Sequence, residues 1–153
     1  MRQLKILCAA SCGLFVCLTI GCNTTKKATM ITNKLNGTWV TVKLEIDGMQ
    51  LPSSAFEKQK LILNDSTYTY IAESVDKGVV KYNGDKIDIY GREGVNAGKH
   101  FTAIYKFVQR TAGGENEQLI ICYNLSGDSY PETFETKGKP MYFLAEFKKE
   151  QIN

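Results

Sequence analysis

The sequence predicts an all-β fold, an eight-stranded antiparallel barrel of the up-and-down kind with one short helical turn. The first observation is that short runs of alternating apolar and polar residues recur along the chain, as in strands with one buried face. The second is that tight-turn dipeptides such as Asp47-Gly48 and Asn83-Gly84 follow these runs and leave no room for a crossover helix. Eight strands close into a barrel wide enough for side chains or for one small ligand. An open sandwich of the same strands is the alternative.

The stretch of residues 35–48 carries the clearest strand pattern. Trp39, the only tryptophan of the chain, stands near its start, and Asp47-Gly48 ends it with a turn. Polar residues separate its apolar ones, which predicts a strand with one apolar face, formed by Val40, Val42, Leu44 and Ile46.

Seven further strands are predicted in the rest of the chain. Before them, Ser53 or Ser54 can cap a single helical turn, with Glu57 placed to complete a capping box. The run 118–123 is almost continuously apolar, which predicts that both faces of this strand are covered. The predicted strands cover residues 60–64, 67–72, 77–82, 86–90, 100–108, 118–123 and 141–148.

The N-terminal part of the chain has the pattern of a targeting segment. Arg2 and Lys5 precede an uncharged apolar run that is short for a membrane span, as in secretory signals. Because Gly21 stands directly before Cys22, the segment resembles a bacterial lipoprotein leader, in which the cysteine thiol receives a lipid before cleavage. An ordinary signal peptide cut elsewhere and a single uncleaved anchor are the alternatives. The predicted parts are a signal peptide at 1–21, the lipidated cysteine with a polar tether at 22–34, and the barrel domain at 35–149.

This resemblance implies that the protein is exported and lipid-anchored in the cell envelope, so its expected partner is a membrane. Asn23 follows the cysteine where an aspartate would favour the inner membrane, so the outer membrane is favoured if the host has one. Two or three acyl chains anchor a protein stably where one is marginal. The tether 23–34 spans at most about 40 Å when extended.

The charge of the chain argues against a nucleic-acid partner. The formal net charge is +3, and Arg2 and Lys5 of the leader supply two of the positive charges. The remaining chain is close to neutral, and its basic residues are adjacent only in the pairs Lys26-Lys27 and Lys148-Lys149, so it has no long basic run.

The residues that catalysis most often uses are scarce. His100 is the only histidine, so no histidine cluster for a metal is expected. Cys122 is the only cysteine beyond Cys22, and it stands in an apolar run where a buried side chain is expected. The carboxylates are scattered, without a spacing that pairs two of them across one cleft. We therefore expect no enzyme, no metal and no cofactor.

The barrel domain resembles a bacterial lipocalin-like domain family, small exported proteins and lipoproteins without an assigned biochemical role. Two departures from the family pattern stand out. Tyr130 occupies the place of an arginine before Pro131, and the last strand closes on Lys148 and Lys149 where the family closes on arginine. Lysine stacks poorly on a tryptophan, so the closed end of the barrel is expected to be plugged differently. The resemblance rests on Leu35-Asn36-Gly37-Thr38-Trp39, Asp47-Gly48, Leu51-Pro52, Gly98-Lys99, Ile104-Tyr105, Leu119, Cys122-Tyr123, Pro131 and Phe134.

The aromatic residues in the strands are the candidate lining of a ligand cavity. Tyrosine hydroxyls that converge in an apolar cavity would orient an amphipathic ligand. The alternative is that these side chains simply fill the core. The loop 124–140 is long for a structureless connection, so Tyr130, Pro131 and Phe134 are candidates for a lid across a barrel end. The cavity candidates are Trp39, Tyr68, Tyr70, Tyr105, Phe107, Tyr123 and Phe143.

These observations lead to one functional hypothesis and one alternative. The hypothesis is a membrane-anchored lipocalin-like lipoprotein that binds a small hydrophobic or amphipathic molecule in the cell envelope. The alternative is a protein-interaction or inhibitor module, or an envelope structural protein, with a solid core and its binding surface on the loops 91–98, 109–117 and 124–140.

Overall fold

A computed structural model describes residues 34–109 and 117–151, with the side chains of residues 109 and 117 left out. The predicted signal peptide, Cys22 and the tether up to residue 33 lie outside the described residues. Within the described ranges, no helix is long and apolar enough to cross a membrane.

The fold is a closed antiparallel β-barrel of eight strands with one short extra strand, which confirms the predicted fold class. From β3 to β9, each strand pairs with the next one along the chain, and β1 pairs with both β3 and β9. The extra strand, β2, pairs only with the end of β1. A single 3₁₀ turn at Ser53–Ala55 lies where the helical turn was predicted. The strands are β1 Gly37–Ile46, β2 Met49–Gln50, β3 Lys60–Asn64, β4 Thr67–Ile71, β5 Val75–Asn83, β6 Lys86–Glu93, β7 His100–Gln109, β8 Glu117–Asn124 and β9 Tyr142–Lys149.

A β-bulge in β1 changes which of its residues face the core. The register against β9 shifts between Thr41 and Lys43, so one extra residue is inserted there. Trp39, Thr41 and Leu44 are therefore the buried residues of this strand. Val40 and Val42 are only half-buried, so the strict alternation expected from the sequence, with both valines on the core side, is wrong.

Two strands extend two or more residues beyond a predicted end. β5 begins at Val75 and β6 continues to Glu93, through Gly91. A Cβ atom at Gly91 would lie 1.8 Å from the carbonyl oxygen of Asn96. Glycine is thus required at this position because the loop after β6 folds back onto the strand. From the sequence alone, such a glycine within a strand looks the same as a glycine that ends one.

One end of the barrel is filled by aromatic side chains, and we call it the closed end. Trp39 is fully buried there, and its Nε1 donates a hydrogen bond of 2.8 Å to the carbonyl oxygen of Leu35. The Phe107 ring packs 6.1 Å from the Trp39 ring. The Nζ atom of Lys149 lies 5.3 Å from the centre of the Trp39 ring, so an ammonium group covers the tryptophan at this end.

The loop between β8 and β9 covers the outside of the barrel wall. Ile104, Cys122 and Leu144 form a second buried cluster on the outward side of β7, β8 and β9, and Tyr130 and Phe134 of the loop pack against it. The prediction that both faces of β8 are covered is thus confirmed. Burial raises the pKa of the Cys122 thiol to about 11, so this cysteine is protonated at neutral pH.

Candidate functional site

The half of the barrel opposite the closed end contains a cavity of about 380 Å³. The chain enters β1 at the closed end, so every second strand connection lies at the other end, which we call the mouth. The connections at the mouth are residues 47–59, 72–74, 94–99 and 125–141. Residues of all of these except 72–74 reach the cavity, namely Leu51, Ala55, Gln59, Asn96 and Leu125.

Aliphatic side chains form most of the deeper wall. They point inward because the period of two along each strand places every second residue inside the barrel. All of these residues are buried, and the cavity lies between their side chains. They are Leu44, Leu61, Leu63, Val80, Ile87, Ile89 and Ile121.

The sequence-predicted cavity residues divide into two groups. Tyr68, Tyr70, Tyr123 and Phe143 line the cavity, together with Phe101 and Tyr82, which the sequence did not single out as cavity residues. The other three belong to the filled half and do not line it: these are Trp39, Tyr105 and Phe107.

The filled half is held by specific contacts of these aromatic residues. The Tyr105 hydroxyl donates a hydrogen bond of 3.0 Å to the carbonyl oxygen of Gly84, in the turn between β5 and β6. Its ring makes edge contacts with Phe107 at 5.9 Å and with Tyr82 at 6.5 Å. Tyr105 is thus a packing residue near the closed end, and Tyr82 stands at the border between the filled and the hollow half.

Polar groups of the cavity gather towards the mouth. The Tyr70 hydroxyl donates a hydrogen bond of 2.5 Å to Oε1 of Gln59. The carboxylate of Asp76 accepts two bonds from Asn96, one of 3.0 Å from the backbone N–H and one of 3.2 Å from Nδ2. A ligand in the cavity therefore meets a largely apolar wall, hydrogen-bonding groups at the mouth and the Tyr82 hydroxyl at the deep end.

The cavity tyrosines are all hydrogen-bond donors at neutral pH. Burial raises the pKa of Tyr70 to about 12 and raises those of Tyr82 and Tyr123 further above the ordinary value. The buried hydroxyl of Tyr82 has no hydrogen-bond partner within the described residues. Because an unpaired buried hydroxyl is costly, a ligand acceptor or a bound water near Tyr82 would stabilise the folded chain.

Gly78 shapes the wall beside Asp76. A Cβ atom at this position would lie 2.6 Å from Cε1 of Tyr68 and 2.1 Å from the carbonyl oxygen of Tyr90. The bare backbone of β5 thus lets the Tyr68 ring lie directly against the strand. Sequence reasoning missed Asp76 because the predicted strand began at residue 77 and left it in a loop. It missed Gly78 because the need for glycine there comes from contacts with Tyr68 and Tyr90 on other strands.

The three lid candidates do not line the cavity. Tyr130 and Phe134 pack on the outer cluster, and Pro131 is buried. The loop follows the outer wall because Ile104, Cys122 and Leu144 offer it an apolar surface there. Of this loop, Leu125 is the residue that reaches the cavity.

A polar cluster on the outer face holds this loop in place. The Tyr130 hydroxyl donates a hydrogen bond of 2.6 Å to Oδ2 of Asp88. Nε2 of His100 lies 3.0 Å from Oδ1 of the same carboxylate, and the Tyr90 ring stacks on His100 at 4.5 Å. No local sequence pattern indicates this cluster, because its members lie on β6, on β7 and in the loop after β8.

Apolar side chains also surround the mouth on the outside. The described residues include six large hydrophobic side chains that are exposed, and the direction of the strands places all of them at the mouth end. They are Ile46, Met49, Val75, Val95, Leu125 and Met141.

No group of three or more metal-binding side chains comes together in the described part of the chain. Comparison of the chain with family models, with curated proteins and with solved structures finds no match. The lipocalin-like resemblance therefore stays a prediction from the sequence motifs.

The outer cluster gives a prediction about alkaline stability. The hydrogen bond to Asp88 raises the pKa of Tyr130 to about 12 from its ordinary value of 10.0. The folded chain thus keeps a proton that the unfolded chain loses above pH 10, so this contribution to stability is complete below pH 10 and is lost as the pH rises towards 12. We expect Tyr130→Phe to lower the free energy of unfolding by about 1 kcal/mol at neutral pH. In urea unfolding, the difference in free energy of unfolding between the wild type and Tyr130→Phe should shrink as the pH rises from 10 towards 12.

The matched control for this experiment is Tyr90→Phe. It removes a hydroxyl from the same outer face but leaves the bond between Tyr130 and Asp88 in place. If Tyr130→Phe lowers the free energy of unfolding by the same amount at every pH, the assigned role of the hydrogen bond is contradicted.

Proposed function

We propose that this protein binds a small, largely apolar molecule with one polar end inside its barrel, while a lipid on Cys22 holds it at a membrane of the cell envelope. The observation that carries the proposal is the cavity of about 380 Å³. This volume lies in the range of roughly 300–1,000 Å³ that is usual for ligand pockets.

The energetic cost of the cavity supports this proposal. At about 24 cal/mol per Å³, a closed and empty cavity of this size would cost roughly 9 kcal/mol, an upper bound for one that is open to water. The whole stability of a domain is commonly about 5–15 kcal/mol. A barrel that fills one half with aromatic side chains and leaves the other half hollow gives up packing that a bound ligand would restore.

The chemistry of the wall supports an amphipathic ligand in particular. Aliphatic residues and aromatic faces surround the deeper part, and the hydrogen-bonding groups of Gln59, Tyr70, Asp76 and Asn96 lie at the mouth. A molecule with an apolar body and a polar end would bury its body against the floor. Its polar end would then remain beside these groups.

The place of the anchor suits this function. The described chain begins at the closed end, where Leu35 is fully buried, so the segment that leads to Cys22 joins the barrel at the end opposite the mouth. The mouth would then face away from the point of attachment. It would be accessible to molecules or donor proteins in the envelope.

A second candidate function, a protein-interaction module, has one observation in its favour. The six exposed hydrophobic side chains around the mouth form a surface on which a partner protein would bury apolar area. In that case the occupant of the cavity would not matter for binding. A substitution that fills the cavity should therefore abolish the first function and leave the second intact.

We expect the barrel to bind the neutral fluorescent probe N-phenyl-1-naphthylamine with a stoichiometry of one. Val80 is buried and lines the cavity, whereas its neighbour Val79 is half-buried and faces outward. Val80→Phe places extra volume in the cavity and should weaken probe binding at least about tenfold, equal to 1.4 kcal/mol. Val79→Phe makes the same substitution on the outer face and should leave probe binding unchanged. Equal probe binding by both variants would count against a site inside the barrel.

We expect Cys22→Ala to abolish lipidation. In the cells that make the protein, the wild type should incorporate an alkyne-labelled fatty acid and sediment with membranes, because its acyl chains bury apolar area in the bilayer. Cys122→Ala is the matched control, since the thiol of Cys122 is buried in the barrel wall. Labelling that persists in Cys22→Ala, or that is lost only in Cys122→Ala, would refute the proposed anchor.

A further inference from the structure

Among the described residues, the cavity wall contains an acidic side chain and no basic one. Its lining, within the described residues, contains one ionisable acid, Asp76, and no lysine, arginine or histidine. A carboxylate or phosphate ligand would therefore find no counter-charge inside the barrel, and it would meet the negative charge of Asp76.

Asp76 is buried and has no cationic partner of its own. It is 4% exposed, and no ion pair within the described part of the chain includes it. Its oxygens accept one N–H each from Asn96. Because a carboxylate has about four acceptor sites, these two bonds leave acceptor capacity that a ligand can use.

Aromatic rings stand next to this carboxylate. In the pairing of β4 with β5, Tyr70 lies directly opposite Asp76, and Tyr68 lies opposite Gly78, the next inward position. Phe101, Tyr123 and Phe143 line the same cavity. Aromatic faces attract a cation electrostatically, most strongly where water is excluded.

We propose that the cavity selects an organic cation, an amine or quaternary ammonium compound with an apolar body, whose charged end pairs with Asp76 beside Tyr68 and Tyr70. This inference rests on the proposed function and specifies the ligand class of the same site. A buried carboxylate without a counter-charge is unfavourable, and the ligand supplies the missing charge. The loop 94–99 is held against the same carboxylate through Asn96, so the ligand's charged end lies where this loop covers the mouth.

The test is displacement of N-phenyl-1-naphthylamine by three molecules with the same ten-carbon chain length, decyltrimethylammonium, decyl alcohol and decanoate, below their micelle concentrations at neutral pH. We expect the wild-type protein to bind the cation at least about tenfold more tightly than either of the other two, equal to 1.4 kcal/mol. Asp76→Asn keeps the size of the side chain and should remove this preference. Glu93→Gln is the control, because Glu93 is an exposed acid that does not line the cavity.

The outcomes separate the ligand class from the proposed function. If decanoate or decyl alcohol binds as tightly as the cation, the cavity is a binding site but the assigned class is wrong. A preference that persists in folded Asp76→Asn, or that disappears equally in Glu93→Gln, also overturns the role of Asp76. The wild-type ranking decides the class even if Asp76→Asn fails to fold. If the probe itself does not bind to the wild type, the proposed function fails, and the ligand class fails with it.

Discussion

The pairing of β1 with β9 turns the sheet into a barrel, and both the core and the cavity exist only because of it. It runs from Trp39 opposite Lys149 at the closed end to Ile46 opposite Phe143 at the mouth. The same register brings the ammonium group of Lys149 over the tryptophan ring. Closure also removes the free edges that an open sheet would expose, and it creates the enclosed interior in which a cavity can exist.

The interior is divided between a filled and a hollow half, and the division follows from side-chain size and position. At the closed end, the Phe107 ring packs against both Trp39 and Tyr105. Phe147 is fully buried in the same core cluster and borders the cavity. Towards the mouth, most inward-facing residues are aliphatic, and aromatic rings lie among them. The side chains from opposite walls of the barrel do not meet, which leaves the cavity between them. Polar side chains occur where the mouth loops reach the cavity. The fold thus provides a container with its polar groups at the entrance.

The barrel could be predicted from the sequence because its signals are local. Alternation and turn dipeptides identified all eight barrel strands, while β2 is too short for alternation to show. The bulge in β1 left no local trace, so Val40 and Val42 were placed on the wrong side. The division of the cavity residues was also beyond prediction, since Tyr105 and Tyr123 are both inward residues of neighbouring strands and differ only in height along the barrel. Asp76 was missed because its role depends on a loop twenty residues away.

Native mass spectrometry of the protein purified from the cells that make it shows directly whether the hollow half of the barrel is an occupied binding site. We expect one additional small molecule per chain, held without a covalent bond and released by organic solvent. A mass equal to that of the polypeptide with its covalent modifications alone would contradict it.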